Sequence, residues 1–268
     1  MFVHALGYML RKANNFTCRV SQRIEPLYSF EIREGGGKYR FFCPNLRTYG
    51  RARSLFTKEP ETINWINSFS SGDVLFDIGA NVGIYSVYAA ALGVLVVAFE
   101  PESQNYAILN RNIYLNNQQN RIIAYNLALS NEIRFNKLYL SRFEAGSALH
   151  NFSEAKDWKH QSFDSQFQQG CISITLDEFI KIADVDFPVH IKIDVDGIES
   201  KVVEGAKGIF NNPRLKSVLI ELNDELEEDQ QLKNLIISYG YKLIEKKHAS
   251  KSNNSRFNNV YNNIFIRS

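Results

Sequence analysis

The segment over residues 74–83 constrains the fold of this chain most. A short apolar run that contains Asp77 and ends at Ile78 leads into the sequence Gly-Ala-Asn-Val-Gly, and helical spacing of apolar residues follows. This pattern predicts a buried strand that turns sharply into a helix. Such a turn presents backbone N–H groups and the positive end of a helix dipole at the carboxyl edge of a sheet, where open α/β sheets bind small charged ligands.

The turn and the next strand carry residues that suit a ligand site. Gly79 and Gly83 allow the backbone to approach a ligand closely, and Asn81 between them tolerates left-handed backbone angles. The next apolar run, residues 94–99, ends at Glu100. This places a carboxylate where a second strand offers one to the two hydroxyls of a ribose.

The glycine spacing predicts the kind of cofactor. One residue separates Asp77 from Gly79 and three separate Gly79 from Gly83, without the third glycine that is typical of dinucleotide sites. We therefore expect a cofactor with one nucleoside and no pyrophosphate, and S-adenosylmethionine is the candidate. A tight turn that binds nothing is the alternative interpretation.

Length and charge limit the classes of protein to consider. A chain of 268 residues suits one large domain or a core with an extension. The net charge of +2 does not indicate nucleic acid or an anionic surface as partner. Cys18, Cys43 and Cys171 lie far apart and indicate neither a disulfide framework nor a zinc site, so a cytoplasmic protein is expected.

Residues 1–70 are expected to form an accessory region of a helix, a hairpin and a lead-in helix, ahead of a cofactor-binding domain over residues 71–268. No run approaches ~20 apolar residues, so no helix is expected to span a membrane. An apolar face near the start of the chain suits core packing or peripheral contact with a membrane, and it comprises Phe2, Leu6, Met9 and Leu10.

Local signals within this accessory region predict two of its elements. The β-prone runs over residues 28–33 and 39–43 flank three consecutive glycines, which indicates a hairpin. Thr57 is expected to cap the lead-in helix that follows it. Three arginines are predicted to lie in a loop, either over the ligand edge or in solvent: Arg47, Arg51 and Arg53.

From residue 74 onward, strand and helix patterns alternate. We expect a Rossmann-like α/β fold in which one seven-stranded, mostly parallel sheet with helices on both faces includes every later strand. Strands over residues 241–244 and 259–266 are expected to form its antiparallel edge, and a single helix is predicted over residues 199–210. The polar segment over residues 142–170 is long, and its aromatic side chains suit either a lid over a hydroxyl-rich acceptor or a mobile surface insertion.

The segment over residues 190–199 carries the second group of candidate residues. In a parallel sheet that is covered on both faces, the strands are normally apolar throughout. The strand predicted here breaks this rule, because Lys192 and Asp194 are two residues apart and place two charged side chains on the same face. Buried charges must pair or meet a polar ligand. We expect Asp194, at the rim, to orient an acceptor hydroxyl and accept its proton late in an in-line methyl transfer. A Lys–Asp pair that only caps the next helix is the alternative, and His190 is expected to be structural.

Polar residues at the ends of neighbouring strands leave a metal as an alternative. The oxygen ligands that a hard divalent cation prefers are offered here by Asp194, Asp196, Glu221, Asn223 and Asp224. If a metal binds, its expected ligands are Asp194, Glu221 and Asn223. Carboxylates at strand ends also cap helices, so a bound metal ion is not predicted.

These segments together resemble the FkbM family of methyltransferases. The resemblance lies in residues 76–86, 98–101, 128–130 and 191–197, with asparagines after the second strand and a lead-in over residues 56–62. It spans about residues 55 to 225, and the Lys-Ile-Asp stretch is its most specific part. The family pattern usually has Glu at the position of Asp196.

The resemblance implies S-adenosylmethionine-dependent O-methylation of a hydroxyl, on a sugar of a polysaccharide or glycolipid or on a polyketide. Catalysis is then expected to depend on Asp194 and Lys192. The residues expected to hold the cofactor are Glu59, Asp77, Gly79, Ala80, Asn81, Gly83, Tyr85, Ser86, Glu100, Pro101, Asn105, Asn126, Leu127 and Ala128.

Other classes make different predictions. An NAD-dependent oxidoreductase would need the missing third glycine, and NAD rather than S-adenosylhomocysteine would raise its melting temperature. A non-catalytic nucleoside-binding module would keep the fold and would not depend on Asp194. A nucleic-acid amino-methyltransferase would need an Asn/Asp-Pro-Pro-aromatic run where this chain has Asp-Val-Asp-Gly, so no nucleic acid is expected as partner.

Overall fold

The computed structural model describes residues 28–155, 161–249 and 259–268. Within these ranges the first elements are β1 Ser29–Glu34, β2 Gly37–Phe42, α1 Leu46–Arg53, α2 Pro60–Asn67, β3 Val74–Ile78, α3 Ile84–Ala91, β4 Leu95–Phe99, α4 Ser103–Leu115, β5 Ile122–Tyr125, β6 Ala128–Leu129, β7 Arg134–Leu140 and β8 Asn151–Phe152. The later elements are β9 Phe167–Ile174, α5 Leu176–Ile182, β10 His190–Ile193, α6 Glu199–Glu204, α7 Lys207–Asn211, β11 Ser217–Asn223, α8 Glu227–Ser238, β12 Tyr241–His248 and β13 Val260–Arg267.

The central sheet has seven strands in the order β12-β13-β11-β10-β3-β4-β5. Strands β11, β10, β3, β4 and β5 run parallel, and β13 lies antiparallel to both β11 and β12. The predicted seven-stranded, mostly parallel sheet with an antiparallel edge is confirmed. From β3 the chain adds β4 and β5 on one side of the sheet, whereas β10 and β11 lie on the other side. The order of the strands therefore reverses between β3 and β10, and open α/β sheets bind ligands at such a switch point.

Two apolar layers cover the sheet, one on each face. Leu75 of β3 packs in a cluster with residues of α2, α3 and α4. Val74, Phe76 and Ile78 of the same strand pack in a second cluster with residues of α5, α6, α7 and α8. Alternate side chains of a strand point to opposite faces, so a strand covered on both sides is apolar at nearly every position.

The predicted N-terminal hairpin is confirmed, since β1 and β2 pair antiparallel from Ser29 with Phe42 to Glu34 with Gly37. Tyr39 and Phe41 of β2 are buried in the cluster that contains Leu75. The backbone N–H of Phe42 donates to Asn112 Oδ1 at 2.7 Å. The hairpin is therefore attached to helix α4 of the sheet domain.

Two predictions for the segment after the hairpin are wrong. The three arginines lie on helix α1 rather than in a loop, because Asn45 and Thr48 form a reciprocal capping box that starts a helix at Leu46. Thr57 does not cap the next helix. That helix begins at Pro60 with Glu59 at its N-cap and no side-chain cap, and proline suits this first position because its φ is already helical.

The prediction that one sheet includes every strand after residue 74 is also wrong. Strands β6, β9, β7 and β8 form a separate four-stranded sheet in that order. Strand β7 pairs antiparallel with β9 from Arg134 to Leu140. The first residues of β9 are the last residues of the polar segment over residues 142–170. Most residues of β7 and β9 are not buried, so their sequences lack the apolar runs that predicted the central strands.

The single helix predicted over residues 199–210 is two helices, α6 and α7. Gly205 is the C-cap of α6, and α7 begins after Ala206, whose φ of −124° is not helical. An added Cβ at Gly205 would lie 2.1 Å from the carbonyl oxygen of Ser130, so only glycine fits at this break.

Some predictions lie outside the described residues: the apolar face of Phe2, Leu6, Met9 and Leu10, the thiol of Cys18, and most of the polar link before β13. Within the described ranges, no helix is long and apolar enough to cross a membrane.

Candidate active site

The turn after β3 brings the ends of two strands into contact. Gly79, Asn81 and Gly83 all have left-handed φ angles, of 80°, 52° and 77°, as the sequence predicts for this turn. A Cβ added at Gly79 would lie 1.8 Å from the backbone carbonyl oxygen of Asp194. The end of β10 therefore passes directly against the turn, and only glycine fits between them.

A cavity of about 350 Å³ opens at these strand ends. Its volume lies within the range of ~300–1,000 Å³ that is usual for small-molecule sites. Of the residues predicted from the sequence, the following line it: Gly79, Asn81, Glu100, Pro101, Asn105, Leu127, Ala128, Asp194 and Glu221.

The other predicted residues do not line this cavity, and several of them support its wall. Asn126 donates to the carbonyl oxygens of Glu100 and Pro101 at 2.9 and 3.0 Å. Asp77 accepts a hydrogen bond of 2.6 Å from Ser86 Oγ. The remaining predicted residues outside the lining are Glu59, Ala80, Gly83, Tyr85, Lys192 and Asn223.

Glu100 is a buried carboxyl group held by backbone donors. Its two oxygens accept hydrogen bonds from the N–H groups of Asn81 at 2.7 Å and Glu102 at 2.9 Å. Burial raises the pKa of Glu100 to about 8, although these donors favour its charged form. A group that exchanges a proton near neutral pH thus lies beside the glycine turn.

Asp194 stays ionised because cations surround it. Its Oδ2 lies 3.0 Å from Lys192 Nζ, and its side chain is 30% exposed where it faces the cavity. Burial favours the neutral form, but Lys192 and then Lys58 outweigh it and lower the pKa of Asp194. Attraction to Asp194 and Asp77 likewise outweighs burial and raises the pKa of Lys192. The predicted pairing of Lys192 with Asp194 is present, and His190 stacks on Phe69 at 3.6 Å, away from the cavity.

Two further carboxyl groups line the cavity beside Asp194. Burial and the charge of Asp194 raise the pKa of Asp196 to about 6. Burial, with repulsion from Asp194, raises the pKa of Glu221 well above its ordinary value. One ionised carboxylate therefore lies among carboxyl groups that hold protons more tightly, an arrangement that can accept or pass on a proton.

Asn223 is one of the oxygen ligands expected if a metal binds beside Asp194. Asn223 Oδ1 accepts the backbone N–H of Glu225 at 3.0 Å and does not face the cavity. Among the residues for which the structure gives positions, no group of three or more His, Cys, Asp and Glu side chains is arranged to hold a metal ion.

Residues 144–150, which we call the roof segment, cover the cavity and were missed by the sequence analysis as site residues. Gly146 to His150 all line the cavity. The aromatic residues expected to form a lid contribute Phe152 to its wall, whereas Phe143 and Phe167 pack on each other at 4.7 Å near the surface. No local motif marks the roof segment, because its contacts are to residues far away in sequence.

The parallel sheet, the glycine turn at its switch point and the buried carboxyl group after the next strand define a Rossmann-like α/β fold with a ligand cavity at the carboxyl ends of its strands. The methyltransferase FkbM domain matches residues 77–243. The chain belongs to this family, so the predicted membership is confirmed.

Sequence and structure comparisons find more distant relatives. Two tRNA (guanine(37)-N(1))-methyltransferases of Candida albicans strains are 33% and 32% identical over 103 residues, 38% of this chain. This chain spans 22% of the length of each. Fibrillarin from Aeropyrum pernix with S-adenosyl-L-methionine has 10% identity and a TM-score of 0.48, over 89% of this chain and 82% of that one. TrmK from M. capricolum with S-adenosyl-homocysteine has 11% identity and a TM-score of 0.46, over 77% and 67%.

Proposed function

We propose that this protein transfers the methyl group of S-adenosylmethionine to a hydroxyl of a sugar, in a polysaccharide, a glycolipid or a related natural product. The observation that supports this most is the position of Asp194. Its ionised carboxylate faces the same cavity as Gly79 and Glu100, on the strand next to the glycine turn. A cytoplasmic location is part of the proposal.

The residues of the cavity suit the two parts of the cofactor. Glu100 is placed to accept hydrogen bonds from the ribose hydroxyls, and the turn at Gly79 leaves space for the methionine part. The apolar part of the lining suits a flat purine, and it consists of Leu127, Ala128, Leu129, Leu138, Phe152, Val195 and Ile198. When bound, S-adenosylmethionine supplies an electrophilic methyl carbon on a positively charged sulfur.

Asp194 acts on the acceptor in this proposal. Its carboxylate accepts a hydrogen bond from the acceptor hydroxyl and directs the oxygen toward the methyl carbon. As the carbon–oxygen bond forms and the carbon–sulfur bond breaks, the hydroxyl proton passes to Asp194. The products are a methyl ether and S-adenosylhomocysteine, and the proton leaves Asp194 for solvent. Because Lys192 lowers the pKa of Asp194, the carboxylate is a weak base and most of the rate comes from alignment.

Lys192 is a positioning residue in this scheme. Its side chain is 3% exposed and does not line the cavity. It contacts Asp194 at 3.0 Å and lies 4.0 Å from Asp77 Oδ1. The buried ammonium group thus holds the carboxylate in one orientation and keeps it charged.

The test is a screen of acceptors with labelled S-adenosylmethionine. Purified protein is incubated with sugars, polysaccharides and glycolipids, with and without a chelator, and methyl ethers are identified by mass spectrometry. Transfer to a sugar hydroxyl that is unaffected by the chelator and lost in Asp194→Asn is expected. If no hydroxyl acceptor is methylated by protein that binds S-adenosylhomocysteine, the proposed acceptor class is wrong.

A nucleic-acid acceptor is the second candidate, because the two Candida albicans relatives are named for methylation of tRNA guanine. The same screen therefore includes tRNA, with digestion to nucleosides. Methylated guanosine with no methyl ether on any sugar acceptor would replace the first proposal with the second. A rise in melting temperature with S-adenosylhomocysteine but not with NAD is expected in either case.

A further inference from the structure

The roof segment is attached to helix α1 through side-chain contacts. Asn45 Nδ2 donates to the carbonyl oxygen of Ala145 at 2.9 Å, and Arg51 Nε donates to that of Gly146 at 2.6 Å. Gly146 has a left-handed φ of 83°, and an added Cβ would lie 3.0 Å from the backbone nitrogen of Thr48. The segment thus has one defined conformation against α1.

The same segment is attached to residues of the cofactor turn and of helix α4. The carbonyl oxygen of Ser147 accepts from Asn81 Nδ2 at 2.7 Å and from Asn105 Nδ2 at 3.1 Å. Asn105 Oδ1 accepts the backbone N–H of Gly146 at 2.7 Å. Asn81 is also the residue whose backbone N–H donates to Glu100. Ser147 is therefore held beside the carboxyl group expected to bind the ribose.

Two polar side-chain atoms of this anchored segment have no partner. Ser147 is 2% exposed, and its Oγ makes no hydrogen bond with the described residues. The same holds for Nε2 of His150. Both residues line the cavity. A buried polar group without a partner is costly, so such atoms beside an open cavity indicate contacts that a ligand completes.

The contacts of His150 define its hydrogen-bonding role. The backbone N–H of Ser141 donates to Nδ1 of His150 at 3.3 Å, so Nδ1 is the acceptor nitrogen and Nε2 carries the hydrogen. Burial lowers the pKa of His150 to about 4, and the ring is neutral at physiological pH. His150 thus presents one N–H donor from a fixed ring. The hydroxyl of Ser147 can donate or accept.

We propose that Ser147 and His150 bind the adenosine part of S-adenosylmethionine. Ser147 lies beside Asn81 and Glu100, where the ribose is expected. His150 is close in sequence to Phe152, which packs in an apolar cluster with Ala128 and Leu138. This part of the lining suits a purine, whose ring nitrogens accept hydrogen bonds. The roof segment is in this proposal a wall of the cofactor site. Its assignment does not depend on which acceptor is methylated.

The test measures binding by calorimetry, with S-adenosylhomocysteine and with methylthioadenosine, which lacks the amino-acid part. His150→Phe is expected to weaken both ligands by about three- to tenfold, because one hydrogen bond to a buried donor is lost. Ser147→Ala is expected to weaken both by about threefold. His150→Gln retains a donor near the position of Nε2 and should remain within about threefold of the wild type. His248→Phe changes an exposed histidine whose side chain does not line the cavity, and it should bind both ligands as the wild type does.

Two results would overturn the proposal. Unchanged affinity for both ligands in Ser147→Ala and His150→Phe, with melting temperatures that show a folded protein, excludes contact with the cofactor. A loss for S-adenosylhomocysteine but not for methylthioadenosine assigns the contact to the amino-acid part instead. If His150→Phe fails to fold, His150→Ala replaces it, because its side chain is smaller and carries no hydrogen-bond donor, and Ser147→Ala still tests the serine contact.

Discussion

The ammonium nitrogen of Lys192 lies between Asp194 and Asp77, 3.0 Å from Oδ2 of the first and 4.0 Å from Oδ1 of the second. Lys192 and Asp77 are register partners on the neighbouring strands β10 and β3. One buried cation therefore neutralises a carboxylate at the cavity and another behind the glycine turn. This relationship couples the stability of the sheet to the charge of the proposed catalytic group.

Lys192→Met is expected to reduce the free energy of unfolding by about 3–5 kcal/mol, because it leaves the buried carboxylate of Asp77 and the partly exposed one of Asp194 without their cation. Urea unfolding monitored by circular dichroism measures this change. Adding Asp77→Asn should recover part of the loss, since it removes one of the uncompensated groups. Lys242→Met, which changes an exposed lysine on β12, should lie within about 0.5 kcal/mol of the wild type. Equal stability of the Lys192 and Lys242 variants would contradict the pairing.

Asp194→Asn is expected to lower kcat by about 100-fold or more, because it removes the group that orients the hydroxyl and accepts its proton. Affinity for S-adenosylhomocysteine should stay within about threefold, since the amide keeps the shape of the side chain. Initial rates and calorimetry measure the two quantities. Asp186→Asn serves as control, because Asp186 is exposed and does not line the cavity. Full activity of Asp194→Asn would remove Asp194 from the mechanism.

Gly79→Ala is expected to destabilise the protein by at least about 1–3 kcal/mol and to abolish cofactor binding. The added methyl group would lie 1.8 Å from a backbone oxygen, and the residue would have a φ of 80°. Gly170→Ala is the matched control, since no atom lies within 4 Å of the Cβ position there and the φ angle suits any residue. Thermal unfolding and calorimetry compare the two variants. A stable Gly79→Ala protein that binds S-adenosylhomocysteine would show that the close contact with Asp194 is not required.

The affinity for S-adenosylhomocysteine is expected to rise with pH up to about 8 and then to level off. The pKa of Glu100 is about 8 in the free protein, and we expect ribose hydroxyls to donate to its ionised form. Binding then requires loss of a proton below pH 8, so the dissociation constant should fall about tenfold between pH 6 and pH 7. Glu100→Gln should bind more weakly and lose this slope. The same slope in both proteins would assign the pH dependence to another group, such as the ligand's amine.

Short-range patterns were sufficient to predict the elements around the cofactor turn. The buried strand predicted to end at Ile78 is β3, the helix expected after the turn is α3, and the left-handed angle of Asn81 follows from its place between two glycines. These features depend on neighbouring residues, through strand burial, helix periodicity and the backbone freedom of glycine. The pairing of Lys192 and Asp194 is also local, because residues two apart on a strand share one face.

The same reasoning failed where polar strands or helix caps decide the structure. Most positions of strands β7 and β9 are exposed or only partly buried, so no apolar run marks the second sheet. Helix α1 depends on the capping box of Asn45 and Thr48 rather than on a hydrophobic pattern. Its arginines were therefore predicted to lie in a loop.

By itself, the sequence determined the turn after β3, the carboxyl groups at the strand ends and the order in which strand and helix alternate, because each depends on residues close together in the chain. The tertiary structure alone decided what covers the site. Asn45 and Ala145 are 100 residues apart, and Arg51 and Gly146 are 95 apart, yet their hydrogen bonds hold the roof segment over the cavity. Contacts at such separations depend on how the sheet and the hairpin pack together, and no spacing within a short segment predicts them.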